Sequence, residues 1–330
     1  MGPNGARWVE IAAQAILHTL VASLFVEALV RSWRVKAPRQ RMALRLVGLA
    51  YPLVVFPTLA VAFPFRLEDE FRETWALFSG SRWDDLRLLG AGLVGWWVAA
   101  LAAAGLALFL LDLVPLLAAR RRPRLVGSPP GAEAAAALAE VPRLAALLGV
   151  APPPVVFLDR DQPVLFCTGV RRHTIVVSRG AVRLLDQDEL RAALAHELAH
   201  LARHDPAASW VVMAARGLMA FNPAFQVLSR AIARDAEWLA DDEAARACGD
   251  RLSLASGLVK LHRAIGSGPP LRRVLPLAAA LGEPLDRARS LAVEVRCRRL
   301  LEDTPAPLPF GAARVVLAAA SVSALLFFVT

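Results

Sequence analysis

The chain has 330 residues, of which 56% are hydrophobic, and its mean hydropathy is positive at +0.46. Both values are high for a soluble globular protein and indicate a membrane protein with one domain of ordinary size and additional elements. The net charge of +9 does not indicate nucleic-acid binding, because the basic residues gather beside the apolar runs, as the positive-inside rule describes.

Three apolar runs in the first third of the chain are long enough to span a bilayer. They cover about residues 9–30, 46–65 and 88–117. The second contains Pro52, Pro57 and Pro64, which predict kinks that a span tolerates when neighbouring helices satisfy the freed carbonyls. The first run lacks the basic start and the cleavage site of a signal peptide, so we expect it to be retained as a helix.

Loop charge predicts the orientation of these spans. The loop 31–45 is basic without an acidic residue, the loop 66–87 is close to neutral, and arginines crowd residues 120–124. By the positive-inside rule, the N-terminus is outside a bacterial-type inner membrane and the chain beyond the third span is cytoplasmic. We therefore expect three spans in residues 1–118, a cytoplasmic domain in 119–311 and a fourth, short span in 312–330.

The cytoplasmic domain is predicted to be mostly helical with a small sheet. An Ala/Leu-rich helix over 132–148 is interrupted at Pro142, and three short β-rich runs follow it. These runs are Val155–Leu158, Val164–Thr168 and Thr174–Ser178, and the last two can pair as a hairpin. Asp186 then forms a capping box with Glu189, which begins a helix that runs to about residue 204.

That helix carries the stretch His196-Glu197-Leu198-Ala199-His200. The two histidines are four residues apart and lie on one helical face, so both imidazoles can reach a single metal ion. Glu197, beside the first histidine, can polarise a water molecule at that metal. The pattern predicts a zinc hydrolase, most simply a metalloprotease.

A catalytic zinc ion needs one more protein ligand. His204 continues the stripe of histidines, but eight residues of helix rise about 12 Å, which is too far from a metal near His196. The run Arg234–Glu243 instead places Glu237 and Asp241 four residues apart on one helical face. We expect Glu237 to bind zinc and Asp241 to accept an imidazole N–H, which fixes the tautomer of that histidine.

Several runs resemble those of the BlaR/MecR-type membrane metallopeptidases, which are gluzincins: H-E-L-A-H-L-A-R-H-D-P from His196, F-N-P from Phe221 and D-A-E-W-L-A-D-D from Asp235. The resemblance implies an α+β zincin (gluzincin-like) domain, mostly helical with a small sheet, embedded in a polytopic α-helical membrane protein. It also implies one Zn²⁺ per chain on the residues matching His196, His200 and Glu237, with Glu197 catalytic.

Two features differ from related families. The HtpX/Ste-type membrane peptidases share the E-x-x-A-D pattern but usually carry hydrophobic spans between the two zinc motifs. This chain has only the run Trp210–Leu228 there, interrupted by Arg216, Asn222 and Pro223. We also expect the extracellular penicillin-binding sensor of the β-lactam receptors to be absent, so β-lactam sensing does not carry over.

Two classes of function follow from these patterns. The first is a membrane-anchored zinc metalloendopeptidase that cleaves a cytoplasmic regulator, such as a transcriptional repressor, or an HtpX-like quality-control protease for membrane proteins. The second is a signal-transducing component whose protease domain acts on itself or on one partner. The expected partners are a protein or peptide substrate and the lipid bilayer, with no nucleic acid.

Other polar residues have less specific interpretations. Zincin substrates commonly bind as an added strand, for which we expect Thr174–Ser178 or its hairpin partner to supply the exposed edge. His173 and His262 are interpreted as surface or core histidines rather than groups that stabilise a transition state. Three arginines near the end of the cytoplasmic domain are interpreted as a basic edge that faces solvent or lipid: Arg296, Arg298 and Arg299.

Overall fold

The computed structural model describes residues 3–76, 87–88, 91–119, 125–126, 132–169, 173–203, 205–266, 282–302 and 311–329. The helices in chain order are α1 (Pro3–Ser32), α2 (Pro38–Ala50), α3 (Phe56–Ala62), α4 (Asp69–Thr74), α5 (Leu93–Ala119), α6 (Ala132–Ala139), α7 (Val141–Leu147), α8 (Arg179–Leu184), α9 (Gln187–Ala202), α10 (Asp205–Leu218), α11 (Pro223–Cys248), α12 (Arg251–Gly266), α13 (Gly282–Leu301) and α14 (Ala312–Phe327). The strands are β1 (Arg87–Leu88), β2 (Ala91–Gly92), β3 (Leu125–Val126), β4 (Val155–Leu158), β5 (Leu165–Thr168) and β6 (Thr174–Ser178). The predicted mostly helical chain with a small sheet is confirmed.

The chain divides into two compact units. One contains Met1–Leu116, Val212–Ala236 and Pro307–Thr330, and the other contains Leu117–Val211 and Glu237–Ala306. We refer to them, by the roles that the sequence predicts, as the membrane unit and the peptidase unit.

Among the described residues, the membrane unit holds three helices that are long and apolar enough to cross a bilayer. They are Ile11–Ser32, Pro38–Ala62 and Gly95–Leu113, in agreement with the three predicted apolar runs. The second passes from α2 to α3 through a π-helical turn, Tyr51–Val55, which contains Pro52. This irregularity is the expected consequence of a proline that cannot donate a backbone hydrogen bond.

The last apolar run forms the shorter helix α14, which packs against α1 and α2. The contact buries small and branched side chains: Ala22, Val26, Leu44, Ala318, Val322 and Leu326. Arg66 is almost fully buried and donates hydrogen bonds to the carbonyls of Phe327 at 2.9 Å and Leu326 at 3.3 Å. Carbonyls at the end of α14 are therefore satisfied although no further turn of helix follows.

The peptidase unit contains a four-stranded sheet in the order β3-β4-β6-β5. Strands β4 and β6 are parallel, and the other neighbours are antiparallel. The predicted hairpin is confirmed, because Leu165 pairs with Val177 and Thr168 with Thr174. The first candidate for the exposed edge, Thr174–Ser178, is wrong: β6 has a neighbour on each side, whereas its hairpin partner β5, like β3, lies at an edge of the sheet.

Helix α9 is the centre of the peptidase unit's core. Its residues Leu190, Leu194, Leu198 and Leu201 recur at helical spacing and are at most 3% exposed. They pack in one apolar cluster with residues from the sheet and from α7, α8, α11 and α12. A helix buried on most of its faces in this way is held against rotation, so its polar side chains keep fixed directions.

Candidate metal centre

The start of α9 is fixed by the predicted capping box. Asp186 Oδ1 accepts the Glu189 N–H at 2.9 Å, and Glu189 Oε2 accepts the Asp186 N–H at 3.0 Å. Glu189 also receives hydrogen bonds of 2.6 Å from Lys260 Nζ and Ser256 Oγ. Burial raises the pKa of the Glu189 carboxyl, but the hydrogen bonds from Lys260, Ser256 and Asp186 outweigh it, and the pKa lies below its ordinary value.

Three side chains converge between this capped helix and α11. The Nε2 atoms of His196 and His200 are 3.1 Å apart. Glu237 on α11 places Oε2 at 3.5 Å from His196 Nε2 and Oε1 at 3.7 Å from His200 Nε2. Their ligand atoms form a group that could hold a metal ion.

The spacing of these atoms fits tetrahedral coordination. Bonds of 2.0–2.1 Å in a tetrahedral site place ligand atoms about 3.3 Å apart, close to the three measured distances. The side chain of His196 is 9% exposed and that of Glu237 is 42% exposed, so the site is buried on one side and open on the other. An open side leaves a coordination position accessible to water or substrate.

Asp241 lies behind His196, one turn beyond Glu237. Its Oδ1 is 3.1 Å from His196 Nδ1, and its side chain is 1% exposed. This contact places a carboxylate oxygen beside Nδ1 and leaves Nε2 directed at the cluster, the arrangement that a metal-binding imidazole needs. Burial lowers the pKa of His196, but hydrogen bonds and charge from Asp241 and Glu237 outweigh it and raise the pKa to about 9.

Arg296 on α13 joins this group, which the sequence did not predict. Its Nε and Nη2 donate to the two carboxylate oxygens of Asp241 at 2.8 and 2.7 Å, and its Nη1 is 3.1 Å from Glu237 Oε2. Burial raises the pKa of both carboxyls, but Arg296 and His196 outweigh it, and both pKa values lie below their ordinary range. A planar guanidinium here holds two carboxylates in fixed directions.

The interpretation of the basic cluster on α13 as a solvated or lipid-facing edge is therefore wrong for Arg296 and Arg299. Their side chains are 15% and 14% exposed, whereas that of Arg298 is 69% exposed. Arg299 pairs with Asp242 and donates to the Trp238 carbonyl at 3.1 Å. The spacing of these arginines could have indicated that they face inward. Arg296 and Arg299 lie three residues apart on one helical face, opposite the acidic face of α11.

Glu197 is oriented by the edge strand of the sheet. Its Oε2 accepts the backbone N–H of Cys167 at 2.7 Å. Since β5 pairs with β6 on its other side, this N–H points away from the sheet ladder. The carboxylate beside the histidine pair is thereby fixed at the β5 edge of the sheet.

The other histidines that the structure describes are not part of this group. His204 falls outside the residues that the structure describes. His173 Nδ1 lies 3.1 Å from the carbonyl of Gly169, in the segment that leads to β6. His262 lies in α12 and is absent from the metal-binding cluster found among the described residues.

Comparison with known proteins identifies similar sequences. Residues 156–271 match the family described as "BlaR1 peptidase M56". Proteins named "Protease HtpX homolog" are also similar. That of Methanopyrus kandleri is 32% identical over 168 residues, covering 41% of this chain and 53% of the relative. That of Acidiphilium cryptum is 29% identical over 207 residues, covering 51% and 72%, and that of Aeropyrum pernix is 29% identical over 171 residues, covering 41% and 54%.

These similarities confirm the resemblance to membrane metallopeptidases of the M56 and HtpX types. The family match covers the stretches that carry His196, His200 and Glu237. The chain spans about half the length of most of the curated relatives it matches. No solved structure matches the chain.

Proposed function

We propose that this chain, a relative of the M56 and HtpX-type membrane metallopeptidases, is a membrane-anchored zinc metalloendopeptidase that hydrolyses peptide bonds of a protein substrate. The observation that carries the proposal is the convergence of His196, His200 and Glu237, with Asp241 directing the imidazole of His196. We also propose that the peptidase unit has a gluzincin-like zincin fold, since the metal-binding helix α9 lies beside a small mixed sheet.

His196, His200 and Glu237 would hold one zinc ion. Two imidazoles and one carboxylate form a known ligand set of catalytic zinc, and the exposed side of Glu237 leaves a fourth position open. When bound, the zinc supplies Lewis-acid chemistry: it polarises a carbonyl and lowers the pKa of water. Asp241 and Arg296 orient the ligands, as hydrogen-bonded outer groups do in other metal sites.

Glu197 would act as general base and then as general acid. Its carboxylate takes a proton from the attacking water and returns it to the nitrogen of the leaving amine. The Cys167 N–H on one oxygen of Glu197 holds the carboxylate in place. This orientation is established before substrate arrives, which reduces the cost of reaching the transition state.

The substrate would bind along β5. This strand is one of the two edges of the sheet, and the Cys167 N–H on its outer side already donates to Glu197. A peptide added antiparallel to β5 would pass along the carboxylate and the metal ligands. Backbone hydrogen bonds supply affinity in this binding mode, and side-chain pockets supply selectivity.

Location and substrate identity are further parts of the proposal. The basic loops favour an external N-terminus and a cytoplasmic peptidase unit. The match to a BlaR1 peptidase family favours a single regulatory target, such as a transcriptional repressor, whereas the HtpX names favour quality control of membrane proteins. Comparing cleavage products in cells that carry the wild type or Glu197→Gln distinguishes the two: one target supports regulation, and many support quality control.

The proposed activity is tested with purified full-length protein and unfolded β-casein as the probe. Glu197→Gln should retain one zinc per chain and lose cleavage by at least about 100-fold, because the general base is removed without removing a ligand. Asp188→Asn, an exposed change on the same helix, is the matched control and should cleave like the wild type. Full cleavage by Glu197→Gln would contradict the mechanism.

A further inference from the structure

We propose that the segment Val212–Ala236 is a re-entrant helical hairpin, which enters the bilayer beside the spans, turns within the hydrocarbon layer and returns to the same side. The hairpin consists of the second part of α10, a short turn and the first half of α11. The inference goes beyond the proposed peptidase activity. It names an additional surface that contacts lipid acyl chains, in the stretch between the two metal-binding motifs.

The first observation is the close approach of the turn to the third span. A Cβ atom at Gly105 would lie 2.7 Å from the Ala220 carbonyl oxygen and 2.7 Å from the Phe221 carbonyl carbon. Gly105 is at the centre of the span Gly95–Leu113. The backbone of the hairpin turn therefore touches α5 near the middle of the hydrocarbon layer.

The turn is also bonded to the first span. The side chain of Asn222 is fully buried, and its Nδ2 donates to the Ala15 carbonyl at 3.0 Å and to Thr19 Oγ1 at 2.9 Å. Its Oδ1 accepts the Phe225 N–H at 3.1 Å, which caps the start of α11. Non-helical backbone is tolerated at membrane depth only where protein groups satisfy it, and Asn222 supplies such groups.

Gln226 donates further hydrogen bonds to backbone carbonyls of the turn. It is fully buried, and its Nε2 donates to the carbonyls of Arg216 at 2.9 Å and Met219 at 3.0 Å. The Arg216 carbonyl lies in the last turn of α10, and the Met219 carbonyl, just beyond that helix, also accepts the Asn222 N–H at 2.9 Å. The two polar side chains, Asn222 and Gln226, thus substitute for the water that an aqueous loop would use.

Charged groups fix the other end of the hairpin. Asp112, near the end of the third span, pairs with Arg216 on α10 and with Arg230 on α11, the latter at 2.9 and 3.1 Å. Asp112 is seven residues from Gly105, a helical rise of about 10 Å. The turn therefore reaches about 10 Å deeper than this charge cluster, consistent with entry from the end of the span that carries the charges.

A second ion cluster lies further along the returning arm. The Asp235 carboxylate is fully buried and pairs with Arg45 and, at 3.3 Å, with Arg41. Arg45 in turn donates to Glu27 at 2.6 Å. The pairs of Asp235 join the hairpin to the second span, and the Arg45–Glu27 pair joins that span to the first. Buried charges that are paired in this way mark a fixed helix arrangement, because leaving one unpaired is costly.

The outer face of the hairpin is apolar. Leu218 is 69% exposed and Val227 is 58% exposed, values similar to the 63% of Leu24 on the first span. Helix α10 has 14 residues, a length of about 21 Å, which is too short to cross a hydrocarbon core of about 30 Å. Because this apolar face is continuous with the spans, it contacts lipid acyl chains. The segment itself does not cross the bilayer.

The test uses the full-length protein in phosphatidylcholine vesicles, with the three native cysteines changed to alanine and one new cysteine labelled with bimane. Leu218→Cys and Val227→Cys should be quenched by lipid with an acyl-chain spin label and protected from aqueous iodide, like the span control Leu24→Cys. Leu147→Cys, an exposed position in the peptidase unit, should show the opposite pattern. Quenching of bimane at Leu218→Cys or Val227→Cys by iodide would overturn the inference. So would a disulfide between two chains at either unlabelled cysteine, if lipid did not quench bimane there.

A second measurement distinguishes a re-entrant hairpin from a pair of crossing helices. In intact spheroplasts, Leu218→Cys should resist a membrane-impermeant maleimide, and it should also resist the reagent in inverted vesicles. Reaction from the outer side would show that the hairpin crosses and would overturn the re-entrant geometry.

Discussion

Arg296 and Asp241 form a two-point pair at the candidate metal centre: Nε and Nη2 of the guanidinium donate to the two carboxylate oxygens at 2.8 and 2.7 Å. The same carboxylate lies 3.1 Å from His196 Nδ1. The orientation of the first histidine therefore depends on an arginine about 100 residues further along the chain.

The contribution of Arg296 to the metal centre can be measured as the affinity of the protein for zinc. Arg296→Ala should weaken zinc binding by about 10- to 100-fold, since removing an outer hydrogen-bond partner of a metal ligand has an effect of this size. Arg296→Lys should recover only part of it, because one ammonium cannot make the two-point contact. Competition with a chromophoric chelator measures both. Arg298→Ala, an exposed change on the same helix, should bind zinc like the wild type; equal affinity in all variants would contradict this role.

Zinc uptake should also depend on pH. His196 has a pKa of about 9 in the metal-free protein, and zinc binds only the neutral imidazole. Binding near pH 7 should therefore release a proton from His196, and affinity should rise by up to about tenfold per pH unit until pH 9. Calorimetry in buffers of different ionisation enthalpy counts the protons. Asp241→Asn should lower the pKa of His196 and reduce this proton release; an unchanged release would contradict the assigned cause.

The capping box predicts a stability effect. Asp186→Ala removes the acceptor of the Glu189 N–H and should lower the free energy of unfolding by about 1 kcal/mol. Asp188→Asn, on the exposed side of the same turn, should change it much less. Chemical unfolding in detergent micelles, followed by circular dichroism, measures the difference. Equal stability of Asp186→Ala and the wild type would show that the box does not support α9.

The stabilising effect of Glu189 should have a defined pH dependence. Its folded-state pKa lies below the ordinary value, so its contribution is complete above about pH 4.5 and is lost as pH falls through the folded pKa. Glu189→Gln should therefore flatten the acid limb of the stability curve. A variant that loses stability with acid as steeply as the wild type would contradict this assignment.

The edge strand predicts a backbone effect on catalysis. Cys167→Pro removes the N–H that donates to Glu197 but no hydrogen bond of the β5–β6 ladder. Cleavage of β-casein should fall while zinc content stays at the wild-type value. Cys167→Ala keeps the N–H and is the matched control. Equal cleavage by both variants would show that this hydrogen bond does not orient Glu197.

Local patterns predicted the parts of the structure that depend on neighbouring residues. The capping box and the β5–β6 hairpin each rest on short-range chemistry, and the structure contains both. The pairing of Glu237 with the two histidines was expected from helical spacing, and the three side chains do lie together.

The remaining features depend on long-range contacts. Arg296 reaches Asp241 from a distant helix, and a basic cluster in the sequence does not reveal which arginine faces inward. Which of β5 and β6 forms the edge depends on β4, which pairs with β6 across an intervening segment. The polar residues Arg216 and Asn222 argued against membrane contact between the motifs, yet the structure groups them with the spans through partners on α5 and α1.

Zinc coordination in the purified full-length protein tests the central claim most directly. Metal analysis combined with X-ray absorption at the zinc edge should give one zinc per chain, with two imidazole nitrogens and oxygen ligands at about 2.0–2.1 Å. Glu197→Gln should keep the same spectrum, and Glu237→Ala should lose the metal on mild chelation. A chain that binds no zinc, or one whose zinc is unaffected by Glu237→Ala, would contradict the account.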